Sequence, residues 1–123
     1  MPSAAQTYKN VSRQTENPRE LEASLLLQAA ARLQSVRDSW TEKRAQLDDA
    51  LLYNRKLWSV FMSDMTDGNN PMPKNVRQNV ANIGLFVMNH TVAVMNDPRP
   101  ERLGSLININ RELAAGLMSK PRA

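Results

Sequence analysis

The stretch LDDALLYNRKLWSVFMSDM, residues 47–65, sets Leu47, Leu51, Asn54, Trp58, Phe61 and Met65 at alternating intervals of four and three. That spacing follows the turn of an α-helix and places all six side chains on one face. Leu57 is one residue, about 100°, away from Trp58, so it falls beside this face together with Tyr53 and Met62. A helix buried along one stripe covers the first set but not the second. The stripe therefore predicts a core containing Leu51, Asn54, Trp58 and Phe61, and the flank of Tyr53, Leu57 and Met62 predicts a partner-binding surface. Asn54 stands among apolar neighbours, where an unpaired amide is costly, so it is expected to be hydrogen-bonded and to fix helix register.

Upstream, Asn17, Pro18 and Glu20 carry the start signals of a helix: a capping side chain, a proline at the first position and a capping-box carboxylate. Leu21, Leu25, Ala29, Val36 and Trp40 continue it at helical period, and Leu26, Leu27, Ala30 and Leu33 widen the buried face. Thr41 is read as the cap of the next helix, which runs to about Thr66 and is stopped by Gly68. The loop DGNNPMP, residues 67–73, has turn chemistry at almost every position. Beyond it, Val76, Val80, Ile83, Val87 and Val94 predict a helix with these residues inward. Phe86 and Met88 lie on the same helix and are the second candidate for partner binding. After the linker NDPRP, Leu103, Leu106, Asn110, Leu113 and Leu117 step by three and four, so Asn110 is a second amide within an apolar seam. Gly84 and Gly116 interrupt helical patterns, which close approach of another helix would explain.

The pattern predicts one all-α domain over residues 1–123, a small up-and-down bundle of four to five helices. Its elements are a short helix over 2–12 and main helices over about 18–40, 42–66, 73–95 and 100–119. Leu25, Leu51, Asn54, Trp58, Phe61, Ile83 and Asn110 are its expected core. No segment shows the alternation of a strand.

Composition narrows the function. Apolar residues make up 41% of the chain and charged residues 23%, as expected of a globular protein. There is no cysteine, which removes thiolate chemistry and suits a reducing, cytoplasmic setting. No stretch has the length and apolarity of an export signal or a membrane span. The net charge of +4 falls wholly after residue 70, but the basic residues are scattered, so direct nucleic-acid binding is not expected. Catalytic residues, cofactors and metals are not expected either. His90, the single histidine, sits among apolar residues and is read as structural. Asp48 and Asp49 are adjacent, point about 100° apart and belong to a solvated face.

Four segments in order carry a family resemblance: NPRELEASLLLQAAARL, LDDALLYNRKLWSVFMSDM, NPMPKNVRQNVANIGLFV and LININRELAAGL. Pro18-Arg19-Glu20 with Glu22-Ala23, Asn54 with Leu57-Trp58 and Phe61, Pro73 with Arg77, Asn79, Asn82 and Gly84, and Ile109-Asn110 with Gly116-Leu117 are its most specific parts. Over about residues 4–117 the chain resembles the FlaF family of flagellar biosynthesis regulators. Met72 and Val76 stand where leucine is expected, both apolar for apolar. The resemblance implies a cytoplasmic protein of flagellated bacteria that promotes flagellin synthesis and export, with flagellin as partner and the flagellar regulator FlbT as a second one. A chaperone would cover the apolar terminal helices of unpolymerised flagellin, a task suited to a groove lined by aromatic and Met side chains. The alternative is a post-transcriptional regulator acting on flagellin mRNA, directly through Lys74, Arg77, Arg99, Arg102 and Arg111 or through FlbT.

Overall fold

The computed structural model describes Ser3 and residues 18–119. Its elements are α1 (Pro18–Asp38), a single-turn helix α2 (Trp40–Lys43), a 3-10 turn (Arg44–Gln46), α3 (Leu47–Met65), α4 (Lys74–Asn96), a second 3-10 turn (Pro100–Leu103) and α5 (Gly104–Met118). No strand occurs among the described residues, so the fold is all-α. The helix expected over 2–12 lies outside the described residues. Among those described, no helix is long and apolar enough to cross a membrane.

The packing order differs from the order of the chain. Helix α3 packs on α1 and α4 packs on α3, whereas α5 returns to α1, its main partner. Three sides of a four-helix bundle are thus closed. Among the described residues the fourth is not: α4 and α5 are consecutive, yet they make no extended helix-to-helix contact.

The expected helix over 42–66 is broken. Residues 39–46 must reverse the chain so that α3 can lie against α1, and they contain no Gly, Pro, Asn or Asp to make a conventional turn. Two short helical turns make the reversal instead, tied back by a hydrogen bond from Lys43 Nζ to Ser35 Oγ. Thr41 therefore lies inside α2, and α3 begins at Leu47. Gly68 is not the stop of α3, for no glycine has a positive φ. The last carbonyls of α3 are capped by side chains from beyond it. Asn70 Nδ2 donates to the Asp64 carbonyl at 2.9 Å, and the Arg77 guanidinium reaches the carbonyls of Met65 and Asp67.

The core is a single cluster shared by all four long helices. Leu25, Leu26, Leu33, Leu47, Leu51, Trp58, Val87, Leu106 and Ile107 are among its fully buried members. All six residues of the 47–65 stripe are buried. Trp58 meets Phe61 edge-on, with ring centroids 5.9 Å apart.

At the centre lies a knot of carboxamides. Trp58 Nε1 donates to Asn110 Oδ1 at 2.9 Å, Asn110 Nδ2 donates to Asn54 Oδ1 at 2.6 Å, and the same nitrogen reaches the Leu26 carbonyl of α1 at 3.4 Å. Both asparagines are fully buried. Asn54 Nδ2 has no acceptor.

On α4 the inward line is Gly84, Val87, Thr91 and Val94, which corrects two expectations: Val76 and Ile83 are each 39% exposed. The cause is Gly84. A Cβ built there would stand 2.7 Å from Met62 Cγ and 3.3 Å from Trp58 Cε3, so α3 sits against the bare backbone at residue 84. That contact turns α4 away from a face centred on Ile83, one residue and about 100° off. Thr91 fits the buried line because its hydroxyl donates to the Val87 carbonyl at 2.7 Å. Leu27, expected inside, is exposed.

Three stability measurements follow. Trp58→Ala removes the largest buried side chain and is expected to cost about 3–5 kcal/mol in chemical denaturation. Asn110→Leu strands both the Trp58 N–H and the Asn54 carbonyl oxygen, at about 1–3 kcal/mol each. It is therefore expected to destabilise more than Asn54→Leu, and equal effects would refute Asn110 as the hub. Leu57 is fully buried, so Leu57→Asp is expected to cost about 4–5 kcal/mol or more and to abolish the cooperative melt.

Candidate functional site

The open side of the bundle begins at a rigid elbow. Pro98 and Pro100 limit its backbone, and Asp97 receives both Arg99, at 3.1 Å, and Arg102, at 3.2 Å. Arg102 also donates to the Ala93 carbonyl at 3.2 Å, which places a cation at the C-terminal end of α4, where the helix dipole favours it. His90 Nε2 lies 2.8 Å from the Arg102 carbonyl. A carbonyl only accepts, so this nitrogen carries the proton. The imidazole is a strut between α4 and the elbow, and Phe86 stacks on it with ring centroids 5.2 Å apart.

From this elbow the two helices make no extended contact, and each carries apolar residues that are only partly buried. On α4, the edge leading away from His90 carries Phe86, 45% exposed, then Ile83, half-buried Val80 and Val76. On α5, Ile109, Leu113 and Leu117 are half-buried at the rim of the core. Gly116 lies seven residues from Ile109, hence nearly in line with it, and nothing stands within 4 Å of a Cβ built there. The close approach that explains Gly84 is thus made inside the chain, whereas Gly116 faces open space.

The residues expected to bind a partner divide. Tyr53 and Leu57 do not form a surface: Leu57 is fully buried and Tyr53 is 8% exposed, with the Arg32 guanidinium 4.0 Å above its ring. The flank they define is the face that α1 covers, so α3 is buried on two sides. Met62 is half-buried against Gly84 and forms part of the α3–α4 contact. Phe86 is on the open margin. Met88 packs partly against the core on the other edge of α4. Of the expected core, Leu25, Leu51, Asn54, Trp58, Phe61 and Asn110 are buried, and Ile83 belongs instead to the margin. A hollow between α1 and α3 is lined by Arg32, Asp49 and Lys56 together with apolar Ala31, Val36 and Leu52 and the Tyr53 ring.

A second apolar surface includes Met88, the other expected partner-binding residue of α4. Leu85, Val92 and Met95 are 57%, 54% and 50% exposed and lie with Ala81 and Met88 at intervals of four and three along the outer edge of α4. The period was visible, but the valines of the same segment suggested a different face.

Compared with known proteins, the chain matches the family model described as flagellar protein FlaF over residues 4–117. No curated protein and no solved structure matches it. That match spans nearly the whole length, including every residue of the elbow and both margins of the opening, and the chain belongs to the FlaF family of flagellar proteins.

Proposed function

We propose that this chain is a flagellin-binding chaperone and regulator. It holds an amphipathic helix of unpolymerised flagellin in the opening between α4 and α5, in the cytoplasm, and so promotes flagellin synthesis and export. The observation that carries the reading is the fourth side of the bundle, which no described helix fills, together with the partly exposed apolar residues of the two helices beside it, Ile83 and Phe86 on α4 and Ile109, Leu113 and Leu117 on α5. An amphipathic helix laid there with its apolar face inward would give both margins the neighbour they lack. Gly116, open on its outer side, would let such a helix approach α5 closely. The membership of the chain in a flagellar family supports the identity of the partner.

Direct action on flagellin mRNA has less support. Of the five basic residues that would form its surface, Arg77 caps the end of α3, and Arg99 and Arg102 share Asp97. Lys74 and Arg111 are left.

The test is calorimetric titration of flagellin with the wild-type chain and with Ile83→Asp and Phe86→Asp. Both side chains are already substantially exposed, so melting is expected to shift little. Affinity is expected to fall at least about tenfold, roughly 1.4 kcal/mol, because each variant would desolvate a charge against an apolar partner. Wild-type binding is expected to have a negative heat-capacity change and a shallow dependence on salt. Unchanged affinity in both folded variants would overturn the groove. Tight, steeply salt-dependent RNA binding with no flagellin complex would overturn the chaperone reading itself.

A further inference from the structure

The outer edge of α4 is a second surface, distinct from the opening. Ala81, Leu85, Met88, Val92 and Met95 repeat at four and three, the spacing of a helix packed lengthwise on another helix. Leu85, Val92 and Met95 are each at least half exposed, and α4 is the terminal member of the packing order among the described helices, none of which covers this edge. On a helical projection the stripe lies about 120° or more from Ile83 and about 100° or more from Phe86, so one partner helix cannot sit on both edges.

Charge identifies the occupant. Residues 78–96 contain no Asp, Glu, Lys or Arg, the longest such run in a chain of net charge +4. A surface meant for a partner chosen by charge carries charged positions beside its apolar seam. This seam is flanked by amides: Gln78, Asn82, Asn89 and Asn96 are exposed and line one side of it. A carboxamide both donates and accepts, so a row of amides is complementary to a copy of itself, and the Gln78 to Asn82 hydrogen bond of 3.0 Å within the row already shows such a pair. Two copies related by a two-fold axis would meet here with apolar stripe on apolar stripe, amide on amide and no like charges opposed.

We propose that this face is a homodimer interface, in which α4 of one chain packs on α4 of a second copy through Leu85, Met88, Val92 and Met95. A single helix edge is small beside the roughly 800 Å² per partner of a stable complex, so the dimer is weak and forms with rising concentration. The opening between α4 and α5 stays free in each copy, so flagellin binding and dimerisation are separate properties.

Sedimentation of the full chain across roughly 10 μM to 1 mM, where an interface below standard size is expected to associate, measures this directly. The wild type is expected to shift from monomer to dimer over that range. Leu85→Asp and Val92→Asp are expected to remain monomeric throughout, with unaltered melting, since both side chains already face solvent. Phe86→Asp, on the opposite edge, is expected to dimerise as the wild type does. A wild type that is monomeric at the highest concentration overturns the proposal, as does a dimer that persists in both stripe variants. If instead Leu85→Asp abolishes flagellin binding while the mass of the free chain never changes, the stripe is a flagellin site and self-association is refuted. If flagellin binding fails in every variant and in the wild type while the dimer forms as described, the chaperone reading falls and this one stands.

Discussion

The Asn110 carboxamide fixes how the helices of this protein sit together. It accepts from Trp58 on α3 and donates to Asn54 on α3 and to the Leu26 carbonyl on α1, so three of the four long helices meet at one side chain. The leucines around it would pack passably in several registers, since dispersion and burial are not directional. The indole N–H finds its acceptor in only one. That gain in definition is not free, because Asn54 Nδ2 remains buried without an acceptor, at a cost of about 1–3 kcal/mol. The knot therefore contributes more to a unique arrangement than to net stability, the same trade that a lone buried asparagine makes in a coiled coil.

The second constraint is the pairing of Gly84 with Met62 and Trp58, and it decides which surfaces the protein shows. With the backbone of α4 pressed on α3 at that point, the buried line of α4 is fixed as Gly84, Val87, Thr91 and Val94. An ordinary amphipathic helix has one apolar stripe and spends it on the core. Helix α4 has apolar residues on both edges of its buried line. Turning it to hide Ile83 would drive a side chain into Met62, and turning it the other way would lift Val87 out of the core. Exposure of Phe86 on one edge and of Leu85 on the other thus follows from a glycine rather than from imperfect packing, and it leaves apolar patches whose cost in water favours partners over solvent.

Helical content, the inward stripe of α3 and the two buried asparagines were legible in the sequence because each depends only on local period and polarity. The site was less so. Tyr53 and Leu57 looked like a free flank because a one-stripe rule assumes one packed neighbour, and nothing local announces that α1 and α4 grip α3 from two sides. The valine and isoleucine period points Val76 and Ile83 inward, whereas the close approach that Gly84 signals sets the buried line about 100° away, and a glycine at the point of closest approach outranks a methyl group as a packing signal. The break at residues 39–46 was hidden for the opposite reason. No turn residue marks it, and the reversal is made of helical turns that preserve the period while changing the direction of the axis. What no single helix encodes is the missing contact between α4 and α5, since that is a property of the packing order.

That missing contact also explains why the elbow is built so firmly. If α4 and α5 packed along their length, the contact itself would set their angle, and the connection could be loose. Without it, their relative placement is held from the two ends of the arrangement: α4 by Gly84 on α3, α5 by Asn110 on α1 and α3, with the His90 strut and the Arg102 hydrogen bond to Ala93 joining them at the elbow. The exposed Asp97 ion pairs add little energy, but Arg102 spans both the Asp97 carboxylate and the α4 C-terminus, so it restrains geometry even where its net contribution is small. Under the proposed docking, a side held in this way would be preformed. A helix entering it would order fewer protein groups than one that had to pry a closed bundle apart, and more of its apolar burial would remain as affinity. A bundle with three closed sides and a fourth that no described helix fills is thus consistent with the proposed docking of a partner helix.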